Sequence, residues 1–245
     1  MKRLILQRVV LFFVSLLLLS SCLGEGRNVD SGQAFGVVRF DFRSGRNLLD
    51  VNVIDIPFYS NRFQEASDGN CFLITFEIDR DKPENSFENI EKNGYYDVSI
   101  TDKTDVPSWP MYYTLTNTMN ALPNEVPIVE AIWDGDYVYL KGKFIMYSIM
   151  KMPTDQRMNW DLSYDMDNIS TDDGQIRYNV FLRSTIRGLE GISSKETFPI
   201  INAFDMQYYL KTVAEKEKEL GHSEFKIRFN YPSAIRRRWT INMEI

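Results

Sequence analysis

The chain has 245 residues, 44% of them hydrophobic and 13% aromatic, and carries 34 acidic against 28 basic side chains for a net charge of −6. That much apolar and aromatic material fills a core, so the chain is no disordered tether, and its length suits one large β domain or two small ones. An acidic surface repels phosphate, which argues against nucleic acid or anionic head groups as partners.

Lys2, Arg3 and Arg8 precede an apolar run from Val9 to Leu19 that only Ser15 interrupts. A run of this kind, about eleven residues, falls in the roughly 7–15 range of a signal-peptide h-region and short of the ~20 that span a bilayer. Leu19-Ser20-Ser21-Cys22 follows and resembles the lipobox of bacterial lipoproteins. Small residues let a peptidase bind the extended backbone before the cut, and the Cys22 thiolate is the nucleophile that takes the diacylglyceryl group. The expectation is a lipoprotein signal peptide over residues 1–21 and lipidation at Cys22, with palmitate-like acyl chains at ~0.8 kcal/mol per buried methylene holding the mature chain to a membrane. Loss of the leader removes three cations and no acid, which takes the net charge to −9. Glu25 is the single acid close behind Cys22, so the expected location is the periplasmic face of the outer membrane, with cell-surface display as the alternative. Cys71 is left without a partner, and no intrachain disulfide is expected.

Residues 22–33 are rich in glycine and polar side chains and read as a flexible tether. Residues 34–124 read as a module of short strands. Val38, Phe40 and Phe42 alternate with Val37, Arg39 and Asp41, Cys71 to Ile78 is a strongly apolar strand, and Tyr95 to Thr101 is another. Asp79 to Asn93 is a charged loop with room for a helical turn or two at Ser86 to Lys92, and Pro107, Pro110 and Pro123 make the end of the module irregular. From Glu125 the alternation is cleaner. Val138, Leu140, Phe144 and Met146 share one face, as do Trp160, Leu162 and Tyr164, then Tyr178, Val180 and Leu182, then Phe225, Ile227 and Phe229, with Arg177, Asn179 and Arg183 on the opposite side. One apolar and one wet face mark antiparallel sheets, and two such faces pack as a sandwich. One helix interrupts, with Asp205 as cap, Met206, Tyr209, Leu210 and Val213 in helical phase, and Gly221 at its end; its charged second half, Ala214 to Leu220, reads as solvated. The fold class is therefore all-β.

The lipobox, the short β module and then Val129 to Tyr147 (VEAIWDGDYVYLKGKFIMY) resemble the NigD-like envelope lipoproteins of Gram-negative gut and oral bacteria. Asp136 to Leu140 stands in place of that family's strand opening, and Trp160 to Asp165 and Gln175 to Arg183 are similar to its next two strands. The resemblance implies an N-terminal OB-like β domain over 34–124 and a C-terminal β-sandwich over 125–245. It implies no catalytic residues, and a bacteriocin-associated accessory or immunity role is one alternative it brings.

No candidate site is strong. His222 is the sole histidine and follows the helix, where a cation is mildly favoured. No serine stands in a Gly-x-Ser-x-Gly elbow, and one histidine without a cysteine pair does not make a zinc site. Asp161, Asp165, Asp167, Asp172 and Asp173 form the best stretch for a cation, yet they lack EF-hand spacing and a closing glutamate, so Asp165, Asp167, Asp172 and Asp173 are only weak calcium candidates beside a plain polar hairpin. Arg236, Arg237 and Arg238 read as an exposed turn. Trp109, Trp133, Tyr112 and Tyr113 either plug the gap between domains, the preferred reading, or offer exposed rings for stacking on sugar or peptide. The expectation is a non-enzymatic envelope lipoprotein without cofactor that contacts another envelope protein or polymer and no nucleic acid. A glycan or peptide hydrolase using an Asp/Glu pair is a further alternative, since such a pair need only meet in space.

Overall fold

The computed structural model describes residues 28–113, 124–131, 137–153, 157–172, 175–187, 195–232 and 238–244; the leader and Cys22 lie outside them. Among the described residues fifteen strands fall into two sheets, and the all-β expectation holds. The first sheet contains β1 (Val29–Asp41), β2 (Arg46–Val51), β3 (Phe58–Tyr59), β4 (Cys71–Asp79), β5 (Tyr96–Asp97) and β6 (Ser99–Val106), in the order β5-β3-β2-β1-β4-β6. Only Val98 separates β5 from β6, although they occupy opposite ends of that order. The sheet must therefore curl until its ends meet, which makes it an OB-like barrel. Phe58 on β3 packs against Phe76 on β4 across the interior, ring centroids 4.8 Å apart. A short helix, Phe87–Asn93, closes one end; Ser86 caps it through Asn89 N–H, and Gly94 ends it at φ 76°.

The expected tether is shorter than its composition suggested. β1 begins at Val29 and pairs with β4 from Val29↔Asp79 onward, so residues 29–33 are strand. Their polar side chains are tolerated because that half of the ladder is solvated, with Gln33 donating to Thr75 Oγ1 at 3.4 Å.

The second sheet contains β7 (Ser108–Tyr113), β8 (Ile128–Ala131), β9 (Val138–Leu140), β10 (Lys143–Pro153), β11 (Arg157–Asp172), β12 (Gln175–Arg187), β13 (Lys195–Asp205), β14 (Glu224–Asn230) and β15 (Arg238–Glu244). The pattern changes near Glu125, but the chain crosses earlier, at Pro107. β6 runs into β7 through this one residue, and Ala203 N–H donates to the Pro107 carbonyl at 2.8 Å. Proline offers no N–H to either ladder, which suits a strand that changes sheets.

The sheet is mixed, not purely antiparallel. β7 enters between β11 and β13 parallel to both, and β14 runs parallel to β12. Parallel neighbours need long crossovers. β13 and the long helix, Gln207–Glu219, supply the one from β12 to β14. The layered packing expected of a sandwich is reached by this single sheet folding over itself. Phe144 on β10 stacks on Phe229 on β14, centroids 5.0 Å apart, although the two strands lie near opposite ends of the strand order. Residues 124–128 complete the closure. Val126 N–H donates to Ser184 O at 2.9 Å, Ile128 N–H to Pro232 O at 2.9 Å, and Glu125 pairs with Arg183 at 3.3 Å with both side chains buried. The apolar rows from β10, β11, β12 and β14 line one interior, and Met206, Tyr209, Leu210 and Val213 of the long helix plug its end. On the other face the expected wet row is partly covered. Asn179 and Arg183 are buried, and Asn179 Nδ2 donates to Asn168 where β11 bulges between Tyr164 and Ile169.

The two barrels meet outer face to outer face. Phe35, Val37, Cys71 and Val106 of the first pack on Ile145 and Ala203 of the second. Phe35 and Tyr147 approach edge to face at 5.7 Å, and Lys141 reaches Asp50 at 3.9 Å.

Phe144 is nearly fully buried where the folded sheet touches itself. Phe144→Ala is expected to lower the unfolding free energy, read from urea titration, by about 3–5 kcal/mol.

Candidate functional site

The sequence candidates scatter. Asp165 and Asp167 sit at the β11 bulge, where Asp165 Oδ1 accepts from Asp167 N–H at 3.0 Å; an internal turn holds this carboxylate. Asp172 ends β11, while Asp173, Arg236, Arg237 and Trp133 lie outside the described residues. Among the described residues no three of His, Cys, Asp and Glu are placed to share a metal ion. Cys71 is buried at the junction of the barrels, and burial pushes its thiol up to about 11, so it stays protonated and unreactive at neutral pH.

One chemistry-bearing cluster escaped sequence reasoning. Glu217, in the helical half that reads as solvated, is only 4% exposed. Its Oε1 accepts from the Tyr178 hydroxyl of β12, and its Oε2 meets His222 Nδ1 at 2.5 Å. Burial works to raise the Glu217 carboxyl, but the bonds from Tyr178 and His222 and the nearby Lys216 hold it below its ordinary value. Burial and the same bond push the Tyr178 phenol well up. The cluster ties the last turn of the long helix to the sheet and to the chain beyond Gly221, where His222 N–H also donates to Glu217 O at 3.0 Å. Its three members satisfy one another, so it is built as a clasp. The signal was present in the spacing: Glu217 follows Val213 by four residues and shares its inward stripe.

Two surfaces offer contact. At one end of the second barrel Tyr112 and Tyr113 are about half exposed, contrary to the preferred reading of buried plugs, whereas Trp109 is partly buried and donates from Nε1 to Asn202 Oδ1 at 2.9 Å. Tyr113 packs edge to face on Tyr164 at 5.6 Å, and Tyr164 on Tyr209 at 4.7 Å. Burial, then the nearby Tyr208 and Tyr113, raise the Tyr164 phenol, and Tyr208 is 75% exposed. The tyrosine array is thus Tyr113 and Tyr208, exposed near the Tyr164–Tyr209 base, while Tyr112, next to Tyr113 on the strand, faces the other side of the sheet. On the first barrel, Ile56, Phe87, Ile90, Glu91, Gly94 and Tyr96 line an open cleft of about 380 Å³ beneath the short helix.

Comparison with known proteins places these features. A family model described as Lipoprotein OB domain matches residues 26–104. Those residues are similar to the lipoprotein OB-domain family. The NigD-like resemblance, with its N-terminal OB-like domain, agrees with that match. An uncharacterised protein from Parabacteroides merdae shares the fold at TM-score 0.66 with 20% identity, over 87% of this chain and 98% of that one. A putative lipoprotein from Bacteroides fragilis does so at TM-score 0.59 and 9% identity, over 88% and 97%. A putative toxin-related protein from Parabacteroides distasonis follows at TM-score 0.54 and 9% identity, over 88% and 94%. No curated protein matches the chain. The apolar cleft thus lies within the residues that match the lipoprotein OB-domain model, and the tyrosine array outside them.

The clasp generates a pH prediction. A carboxyl held below its unfolded value stabilises the fold above that value, near 4.5, and loses the contribution as pH falls through the folded one. Glu217→Gln is expected to cost about 1–3 kcal/mol at pH 7 and to flatten the acid limb of a melting-temperature profile below pH ~4.5. An unchanged acid limb would show that Glu217 is not the group involved.

Proposed function

We propose that the protein is a non-enzymatic outer-membrane lipoprotein, tied by lipid on Cys22 at the periplasmic face, that works by contact with an envelope polymer or another envelope protein. The observation that carries this reading is the lipobox ending at Cys22 just upstream of a domain that matches a lipoprotein family. The tyrosine array supports the contact half. Rigid exposed rings suit stacking on sugar or peptide, since they bring large area at low entropic cost. The clasp around Glu217 is consistent with this, because its groups are engaged in holding the helix.

Cys22→Ser is expected to abolish incorporation of labelled palmitate and to move the protein from the membrane to the soluble fraction. Retention on membranes without label would overturn the anchor. For the contact half, Tyr113→Ser with Tyr208→Ser is expected to reduce co-sedimentation with purified envelope glycan, or recovery of an envelope protein from detergent extracts, at least tenfold while leaving the melting temperature within a few degrees. Unaltered recovery of both would remove the array from the reading.

A further inference from the structure

We propose that the apolar cleft of the OB domain docks on the phospholipid bilayer that holds the protein's own lipid, so that the domain lies on the membrane instead of swinging beneath it. This rests on the lipidation of Cys22 proposed above.

Reach confines the domain. Cys22 precedes Asn28 by six residues. At 3.3–3.6 Å per residue a fully extended link spans roughly 20 Å at most. The point where the chain joins the barrel is therefore held within that distance of the bilayer.

That point lies next to the cleft. Asn28 N–H donates to Asp81 Oδ2 at 3.4 Å, and its carbonyl accepts from Arg80 N–H at 2.8 Å. Arg80 pairs with Asp30 at 2.6 Å, and its guanidinium lies 5.5 Å from the Tyr96 ring and donates to the Tyr96 hydroxyl at 3.4 Å. Tyr96 is a wall of the cleft. The entry of β1, Arg80 and Tyr96 form one continuous set of contacts, and the tether leaves the domain beside the cleft.

The rim of the cleft is apolar. Phe87, on the cleft's rim, is 81% exposed in the first turn of the short helix. Ile56 and Ile90 stand half-buried behind it. A large apolar ring with apolar support sinks readily into the boundary between head groups and acyl chains. The loop and helix from Arg80 to Asn93 carry a net charge of −1, with Asp81, Glu84, Glu88 and Glu91 against Arg80, Lys82 and Lys92. There is no basic patch to draw the domain to anionic lipid. Docking therefore depends on the high local concentration that the short tether imposes. The chain without lipid is expected not to bind vesicles.

The test uses the full lipidated chain carrying Phe87→Cys, with a nitroxide on that thiol, in phosphatidylethanolamine/phosphatidylglycerol vesicles. Cys22 is blocked by its thioether, and Cys71 is buried with its thiol pushed up to about 11, so neither takes the label. A second variant, Tyr208→Cys, reports from the far barrel. On vesicles the label at 87 is expected to become several-fold more accessible to oxygen and several-fold less accessible to a water-soluble nickel chelate, while the label at 208 is unchanged. If the protein floats with vesicles but the label at 87 behaves like that at 208, the anchor stands and the docking falls. Protection of 87 from both reagents would point to a second copy of the chain in the cleft and also overturns it. A protein that fails to float removes both readings.

Discussion

The structure depends on a surface that cannot face water. Phe35 and Val37 point away from the interior of their own barrel, as do Cys71 and Val106 from neighbouring strands. The β1 stretch Ala34 to Val38 is buried throughout because both its faces are covered. Alternate residues face the OB interior, where Ala34 and Val38 lie, and the rest face the second barrel. Gly36 sits where a Cβ would stand 2.5 Å from the Leu49 side chain, which leaves that side chain room to lie over β1 in the interior. The apolar outer face explains why the two sheets form a joined pair, and why β6 continues into β7 with only Pro107 between them.

Much of this was legible. Period-two alternation named the inward rows of β11, β12 and β14 almost residue for residue, because those strands have one dry face; of the row expected around β10, Phe144 and Met146 face inward, but Val138 and Leu140 pack on the opposite face beside Ile145, because the turn at Lys141–Gly142 reverses the chain. The long helix followed from Tyr209, Leu210 and Val213. What alternation cannot carry is which strand neighbours which. β7 holds two prolines at or beside its length and exposed tyrosines, so it resembles a loop, yet it sits between β11 and β13. Its place is set by the geometry of the crossing, not by its own pattern. The start of β1 was likewise hidden by composition, since Asp30, Gly32 and Gln33 read as tether until Thr75 and Asp79 opposite them are known.

The candidate site was legible only in part. Glu217 lies on the buried stripe by spacing, but its partners Tyr178 and His222 come from a distant strand and from beyond the helix. Tyr112 and Tyr113 were recognised as a pair with two fates, and exposure decides between them. The residues that carried the family resemblance lie mostly in the second barrel, whereas the family match falls on residues 26–104 of the first. In a chain of short strands, turn chemistry and core rows constrain the first domain as strongly as the longer, cleaner strands mark the second.

The pairing of β1 also bears on force. Its ladder with β4 runs antiparallel from Val29 to Val37, starting seven residues after Cys22. A pull on that end acts along the strand axis, so the hydrogen bonds to β4 and β2 share the load in shear and do not peel open one by one. With the chain held at Cys22 as proposed, a tug from a moving polymer would load this strand in its most resistant direction.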